Sequence, residues 1–313
     1  MCRKRPCFKK DLKSSGRRSI LELILPSVIF LSILVNLPLS IAETQLSTEY
    51  GEVIYQCNEK SPNQLSVIGM SHRDALTRLN GNKTSRVQAE VYKIGEWLIH
   101  QGGSELLLPE GFFLRKPSGI EKVKPEAEKK GSCPELDMKA LERILSDNHT
   151  FINAEMLMKK YHSLILQQVE EEKFYNEVSL AIQKLINSRS STCDYLTSKS
   201  ELDYLQERRV AVMLQKIPKI VEDEFQQGNI RSKKAIFTIG MFHLHKIIQY
   251  LSENRIRIPF PLLALNKGED YIAELNLQKE NFGVSIILPR TLLDDPKVLE
   301  MNRLDKIVSP IRK

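Results

Sequence analysis

The 313-residue chain carries 46 Lys+Arg against 39 Asp+Glu, a formal charge of +7. The excess is local: residues 1–42 hold eight basic and two acidic residues, a net of +6, which leaves +1 for residues 43–313. A nearly neutral body excludes a nucleic-acid surface as the meaning of the charge, and 42% hydrophobic with 27% charged residues excludes a disordered chain.

The basic start runs into twenty uncharged residues, Leu23 to Ala42, with an apolar centre from Leu23 to Val35. A basic region, an apolar region and the small residues of Ser40-Ile41-Ala42 are the parts of a secretory signal cut before Glu43. The same segment would span about 30 Å as a helix, so an uncleaved membrane anchor is the alternative. In both readings the body lies outside the cytoplasm, periplasmic, secreted or tethered to the membrane. Gly16-Arg17-Arg18-Ser19-Ile20-Leu21 resembles a twin-arginine signal. Two Asn-x-Thr triplets, at Asn82 and Asn148, fit the glycosylation acceptor. Cys2 and Cys7 fall in the leader; of Cys57, Cys133 and Cys193 in the body, the last two sit in turn-like contexts and are the disulfide candidates.

Gln64 to Ile68 is a short apolar run ending in Gly69-Met70-Ser71-His72, and predicts a buried strand. Glycine at its end is expected to permit a sharp exit from the strand. After a polar loop through Asn80-Gly81-Asn82, Val87, Val91, Ile94 and Leu98 mark the apolar face of a helix from about Ser85 to His100, with Thr84 as N-cap. Ser104 to Leu108 predicts a strand stopping at Pro109-Glu110-Gly111. This strand–helix–strand order implies parallel pairing. Lys116 to Pro134 reads as an exposed loop. Met138 to Asn187 lacks Pro and Gly and predicts helix, its Glu170-Glu171-Glu172 run being a solvated face. A loop at 188–194 precedes a second long helix, about Ser200 to Gln227, with Met213, Ile217, Ile220, Val221 and Glu224 on one side, a kink expected at Pro218, and Gly228-Asn229 as its stop. Lys234 to Ile239 then repeats the first strand, ending in Gly240-Met241-Phe242-His243. Leu244, Ile247, Ile248 and Leu251 form the stripe of the helix that follows. Tyr271–Leu277 and Gly283–Leu288 are further strand candidates, and 291–313 reads as a C-terminal tail. The fold class expected is α/β: a mixed, largely parallel sheet with pseudo-duplicated strand–Gly-x-x-His–helix units and a helical insertion at about 138–227, in one domain over 43–290.

The chemistry concentrates at the two repeated turns. They put His72 and His243 at the C-terminal ends of two strands, the edge where open α/β sheets bind ligands, and Glu110 ends a third strand. Two imidazoles and a carboxylate suit a divalent transition metal, whose bound water would be a nucleophile near neutral pH. His245 makes a His-x-His with His243, but in a helix these residues point about 200° apart, so it is a secondary candidate. Glu207-Arg208-Arg209 lies in the helix before the second strand; Arg208 is the candidate to hold a carboxylate or developing oxyanion, and Glu207 is a secondary site residue.

Taken in order, Val67-Ile68-Gly69-Met70-Ser71-His72, Leu107-Leu108-Pro109-Glu110-Gly111, Glu207-Arg208-Arg209 and Phe237 to Leu244 resemble the motif set of the TIKI/TraB superfamily, which includes GumN-like, ChaN-like and erythromycin-esterase-like proteins. The resemblance covers about residues 62–252. It implies a duplicated α/β core with its site between the halves. It also implies metal-dependent hydrolysis, with a peptidase as the leading activity. Carried over by motif, His72, Glu110 and His243 are the metal residues, Glu110, Arg208 and His243 the catalytic ones. The cofactor expected is manganese, cobalt or zinc, and the partner a peptide or small-molecule substrate. Haem binding without catalysis, as in ChaN-like relatives, and a TraB-like interaction module are the alternatives.

Overall fold

The computed structural model describes residues 46–71, 83–114, 136–147, 152–188, 192–261 and 269–308. The leader, His72, both Asn-x-Thr asparagines and Cys133 lie outside the described residues. The chain divides into Met1–Glu43 and Thr44–Lys313, and the architecture that follows is that of the second unit.

In chain order the strands are β1 Gly51–Cys57, β2 Asn63–Met70, β3 Leu106–Pro109, β4 Ile165–Leu166, β5 Lys234–Gly240, β6 Arg255–Ile258, β7 Tyr271–Glu274 and β8 Phe282–Pro289. The helices are α1 Thr84–His100, α2 Met138–Ser146, α3 Ala154–Tyr161, α4 Glu172–Asn187, α5 Thr192–Gln226, α6 Leu244–Glu253, α7 Asn276–Lys279, α8 Arg290–Leu293, α9 Pro296–Met301 and α10 Asp305–Val308, with a 3₁₀ turn at Met241–His243. Six strands form one sheet in the order β1-β8-β2-β5-β3-β4, all parallel except the edge strand β1. The fold is thus α/β with a mostly parallel mixed sheet.

The central strands are near-continuous apolar runs because both faces are covered: Ala235, Ile236, Phe237 and Ile239 of β5 are fully buried, as are Leu65, Val67 and Ile68 of β2. On β1 only one face is covered, so Ile54 is buried while its neighbour Val53 is exposed. Chain passing from β2 through α1 to β3 skips β5, and chain passing from β5 through α6 to β8 skips β2. The two crossovers run in opposite directions, and their helices cover opposite faces. Thr238 of β5 bonds Glu155 of α3, on the α1 side, whereas Gly69, paired with the next residue Ile239, lies under Leu244 of α6. Strands β2 and β5 are therefore the place where the chain diverges.

The two Gly-Met-x-His copies are not equivalent by position. β2 pairs with β5 so that Met70 faces Gly240, one residue out of step with the sequence repeat. Corresponding residues thus point to opposite faces. The glycines also differ from expectation. Gly69 is inside β2, and a Cβ there would come within 2.4 Å of Leu244 Cδ1, so its role is to let α6 lie close. Gly240 has φ −55°, open to any residue.

Several other expectations are corrected. Among the described residues, the helical stretch expected at 138–187 holds three helices and the short strand β4. The second long helix begins at Thr192, inside the expected loop, and runs through Pro218 to Gln226. Thr84 is in the first turn of α1, whose N-cap is Lys83. β7 stops at Glu274 and pairs with β6 in a separate two-stranded sheet, because α7 begins two residues later. The tail expected from 291 is core: Leu292, Leu293, Leu299, Leu304 and Val308 are buried. Cys193 is exposed, and its expected disulfide partner Cys133 lies outside the described residues. No helix among the described residues is long and apolar enough to cross a membrane.

Candidate functional site at the sheet edge

Five parallel strands end at the C-terminal edge of the sheet, and the segments that follow three of them, β3, β4 and β5, contribute side chains to one cluster. Glu110 follows β3. Its backbone extends the ladder, donating to Thr238 O at 2.9 Å, and its carboxylate Oε2 accepts from the Gly240 backbone N–H at 2.7 Å. That bond closes the end of β5 just where the chain enters the 3₁₀ turn. The turn then carries His243 back over the edge, placing Nε2 3.5 Å from Glu110 Oε1. Glu170, four residues beyond β4, is fully buried and accepts from the Gly111 backbone N–H at 2.9 Å.

Arg209 of α5 ties these together. Its Nη2 donates to Glu110 Oε1 at 2.7 Å and to Glu170 Oε2 at 2.9 Å, and its Nε donates to Glu170 Oε1. The Tyr175 ring lies 5.7 Å from the guanidinium carbon. Burial works against the charge on Arg209, but the hydrogen bonds to Glu170 and the fields of Glu110 and Glu170 more than offset it, raising its pKa above the ordinary value. Two carboxylates against one guanidinium leave the cluster a formal −1, a charge that a further cation would neutralise.

Glu110 and His243, both singled out from the sequence, are brought together. His72 lies outside the described residues. Arg208 points elsewhere: its guanidinium lies over the Phe174 ring at 5.3 Å, and its buried Nε meets no acceptor among the described residues. The arginine that reaches the edge is Arg209, because adjacent helical residues point about 100° apart. Glu207 holds Lys246 at 3.1 Å and accepts from the Tyr250 hydroxyl at 3.4 Å, joining α5 to α6. His245 is half-buried; burial, then Lys246 and Arg303, push its pKa down, against the pull of Glu207.

The cluster sits between two concavities. Glu110 lines one of about 510 Å³ that also includes Glu155, Met156, Lys159 and Lys160 of α3. His243 lines another of about 290 Å³, with Glu207, His245 and Lys246. Glu170 is the residue that sequence reading missed. It was hidden in an acidic run, and the signal that marks it is the apolar Leu164-Ile165-Leu166 just upstream, a strand that turns the following acid inward.

A second group, Glu96, His100 and His162, could hold a metal ion: one ligand atom from each lies within 4.8 Å of the others. His100 drew no attention in the sequence, although Glu96-x-x-x-His100 is the spacing that places both on one helix face. Comparison with family models, with characterised proteins and with solved structures finds no match to this chain. The TIKI/TraB resemblance accordingly rests on the quoted motifs.

Proposed function

We propose that this chain is an exported, metal-dependent hydrolase acting on peptide bonds, with its reaction centre at the Glu110–His243 corner of the sheet edge. The observation that carries the reading is the convergence of Glu110, Arg209 and His243 at the C-terminal ends of parallel strands, from positions far apart in sequence. That edge, beside the strands where the chain diverges, is where α/β sheets bind ligands. A separation of 3.5 Å between Glu110 Oε1 and His243 Nε2 suits two donors on one ion with bonds of about 2.0–2.2 Å, and the formal −1 of the cluster favours a cation there. Manganese, cobalt or zinc fits this nitrogen and oxygen set, and such an ion would lower the pKa of a bound water.

The chain's own groups have definable roles. Arg209 and the Gly240 N–H hold the Glu110 carboxylate in one orientation, so it needs no reorganisation during reaction. His243 presents Nε2, the atom facing Glu110, as the nitrogen donor that would share the ion with Glu110 Oε1. The larger concavity offers apolar Met156 and Phe112 for side chains, and Lys159 and Lys160 for a carboxylate end. Its size suits a short peptide segment.

The test is hydrolysis of a mixed peptide library by the purified full chain with added manganese, cobalt or zinc. Glu110→Gln and His243→Ala are each expected to lower kcat/KM by about 10²–10⁴-fold, the range for acid–base and electrostatic groups, with unchanged far-ultraviolet circular dichroism. Absence of metal-stimulated cleavage, or variants that cleave as fast as the parent chain, would overturn the reading.

A further inference from the structure

The Glu96–His100–His162 group is remote from the reaction centre. α1 leads back from the edge where β2 ends toward the start of β3, so its last turn lies at the opposite edge of the sheet from Glu110. We propose that Glu96, His100 and His162 bind one divalent transition-metal ion, with zinc the preferred occupant, and that the ion ties the C-terminal end of α1 to that of α3.

Four observations carry this. Glu96 and His100 stand four residues apart in the last turns of α1 and share a face, while His162 is the C-cap of α3, its backbone N–H bonded to Met158 O at 2.9 Å. The ligand atoms lie within 4.8 Å of one another. Tetrahedral zinc with bonds of about 2.0–2.1 Å needs donors roughly 3.4 Å apart, so a modest side-chain turn closes the site. Glu96 is half-buried and His100 exposed, so those two can turn, whereas the His162 side chain is 3% exposed and stays put.

His162 is also already oriented. The Tyr92 hydroxyl lies 3.0 Å from its Nε2, the nitrogen that also faces Glu96 Oε1 at 3.8 Å, so this bond holds the ring in place until an ion takes Nε2. Tyr92, Glu96 and His100 follow one another at intervals of four along α1, so a single helix face supplies two ligands and the orienting group. The His100 and His162 rings meet edge to face, centroids 5.1 Å apart. Finally, both helices end here, and the unsatisfied carbonyls of two C-termini favour a cation. Two competitors are present: the Tyr92 hydroxyl must yield Nε2, and Lys93 Nζ holds Glu96 Oε2 at 2.8 Å, which leaves Oε1, the oxygen facing His162, for the ion. Two imidazoles and one carboxylate leave a fourth position for water.

Cobalt(II) is the probe, because its visible absorption reports four-coordinate nitrogen and oxygen ligation. Chelator-stripped full chain is titrated with cobalt and then with zinc in competition. One equivalent bound at this site with tetrahedral-type bands is expected, displaced by zinc, in addition to the cobalt that the Glu110–His243 corner takes. His100→Ala, at an exposed position, and Glu96→Gln should each abolish that signal, and Tyr92→Phe, which removes the competitor at Nε2, should not weaken it. His243→Ala and Glu110→Gln should leave it unchanged, which separates this site from the reaction centre. Zinc should raise the melting temperature of the parent chain and not that of His100→Ala. Absence of cobalt binding, or binding that His100→Ala does not alter, would overturn the proposal.

Discussion

Replacing Arg209 with Met tests the sheet-edge cluster most directly, because it keeps the length of the side chain and removes the charge. In the native chain Arg209 meets Glu170 through two nitrogens and Glu110 through one, with side-chain exposures of 9% for Arg209, 0% for Glu170 and 9% for Glu110. After the substitution two carboxylates remain buried beside one another with no cation between them. Removing one partner of a buried pair costs about 3–5 kcal/mol, since the orphaned charge keeps its desolvation penalty. A unit of this size loses about 2–4 °C per kcal/mol, so the melting temperature should fall by roughly 6–20 °C. Urea unfolding, followed by circular dichroism, measures the free energy. Adding Glu170→Leu to Arg209→Met should recover more than half of the loss, because the fully buried one of the two orphaned charges is gone and its repulsion of Glu110 with it. A cost under about 1 kcal/mol, the value of an exposed ion pair, would refute the reasoning, since it would mean that water screens the cluster.

Three further outcomes are expected. Gly69→Ala should cost about 1–3 kcal/mol in urea unfolding, because its Cβ would come within 2.4 Å of Leu244 and 2.8 Å of Leu288 side-chain atoms; a neutral substitution would show that α6 can back away. Deleting residues 291–313 should prevent stable folding, measured as loss of a cooperative thermal transition. It removes five buried apolar side chains worth about 1.5–3 kcal/mol each, comparable to the whole stability of a domain. Glu90 of α1 is buried, which raises its pKa, although bonds from Thr291 and Arg86 pull the other way. Its folded value lies above the ordinary value of about 4.3, so in that window the native state binds more protons than the unfolded one, and stability falls as pH rises through it. Glu90→Gln should remove this slope from a plot of melting temperature against pH, and parallel slopes in the two proteins would contradict the assignment.

Much of the local structure was legible. The stripes of Val87, Val91, Ile94 and Leu98, and of Leu244, Ile247, Ile248 and Leu251, are buried as their period predicts. The two apolar runs ending in Gly-Met are adjacent parallel strands, and Gly228 ends α5 in the left-handed conformation at φ 72°. Less was legible where burial is one-sided or the element is short. β1 is covered on one face and its register shifts between Val53 and Tyr55, and β4 is two residues long between helices. Glu170 stands in a run with Glu171 and Glu172, and composition alone, without the strand at Ile165–Leu166, does not reveal which of three acids turns inward.

What the sequence determined by itself is which residues form each element and which strands end in chemistry: Glu110 after β3 and His243 after β5 stand at the edge because strand direction and parallel pairing place them there. What only the tertiary structure decided is who meets whom. The sheet order sets β3, β4 and β5 together, and the phase of a long helix presents Arg209 rather than Arg208 to the two carboxylates. The same holds for Glu96, His100 and His162, where one helix phase and the stop of another bring three donors together. Periodicity is a local property that neighbours along the chain can encode. The angle at which a helix lies on a sheet depends on the packing of the whole core, and a turn of about 100° exchanges one arginine for the next.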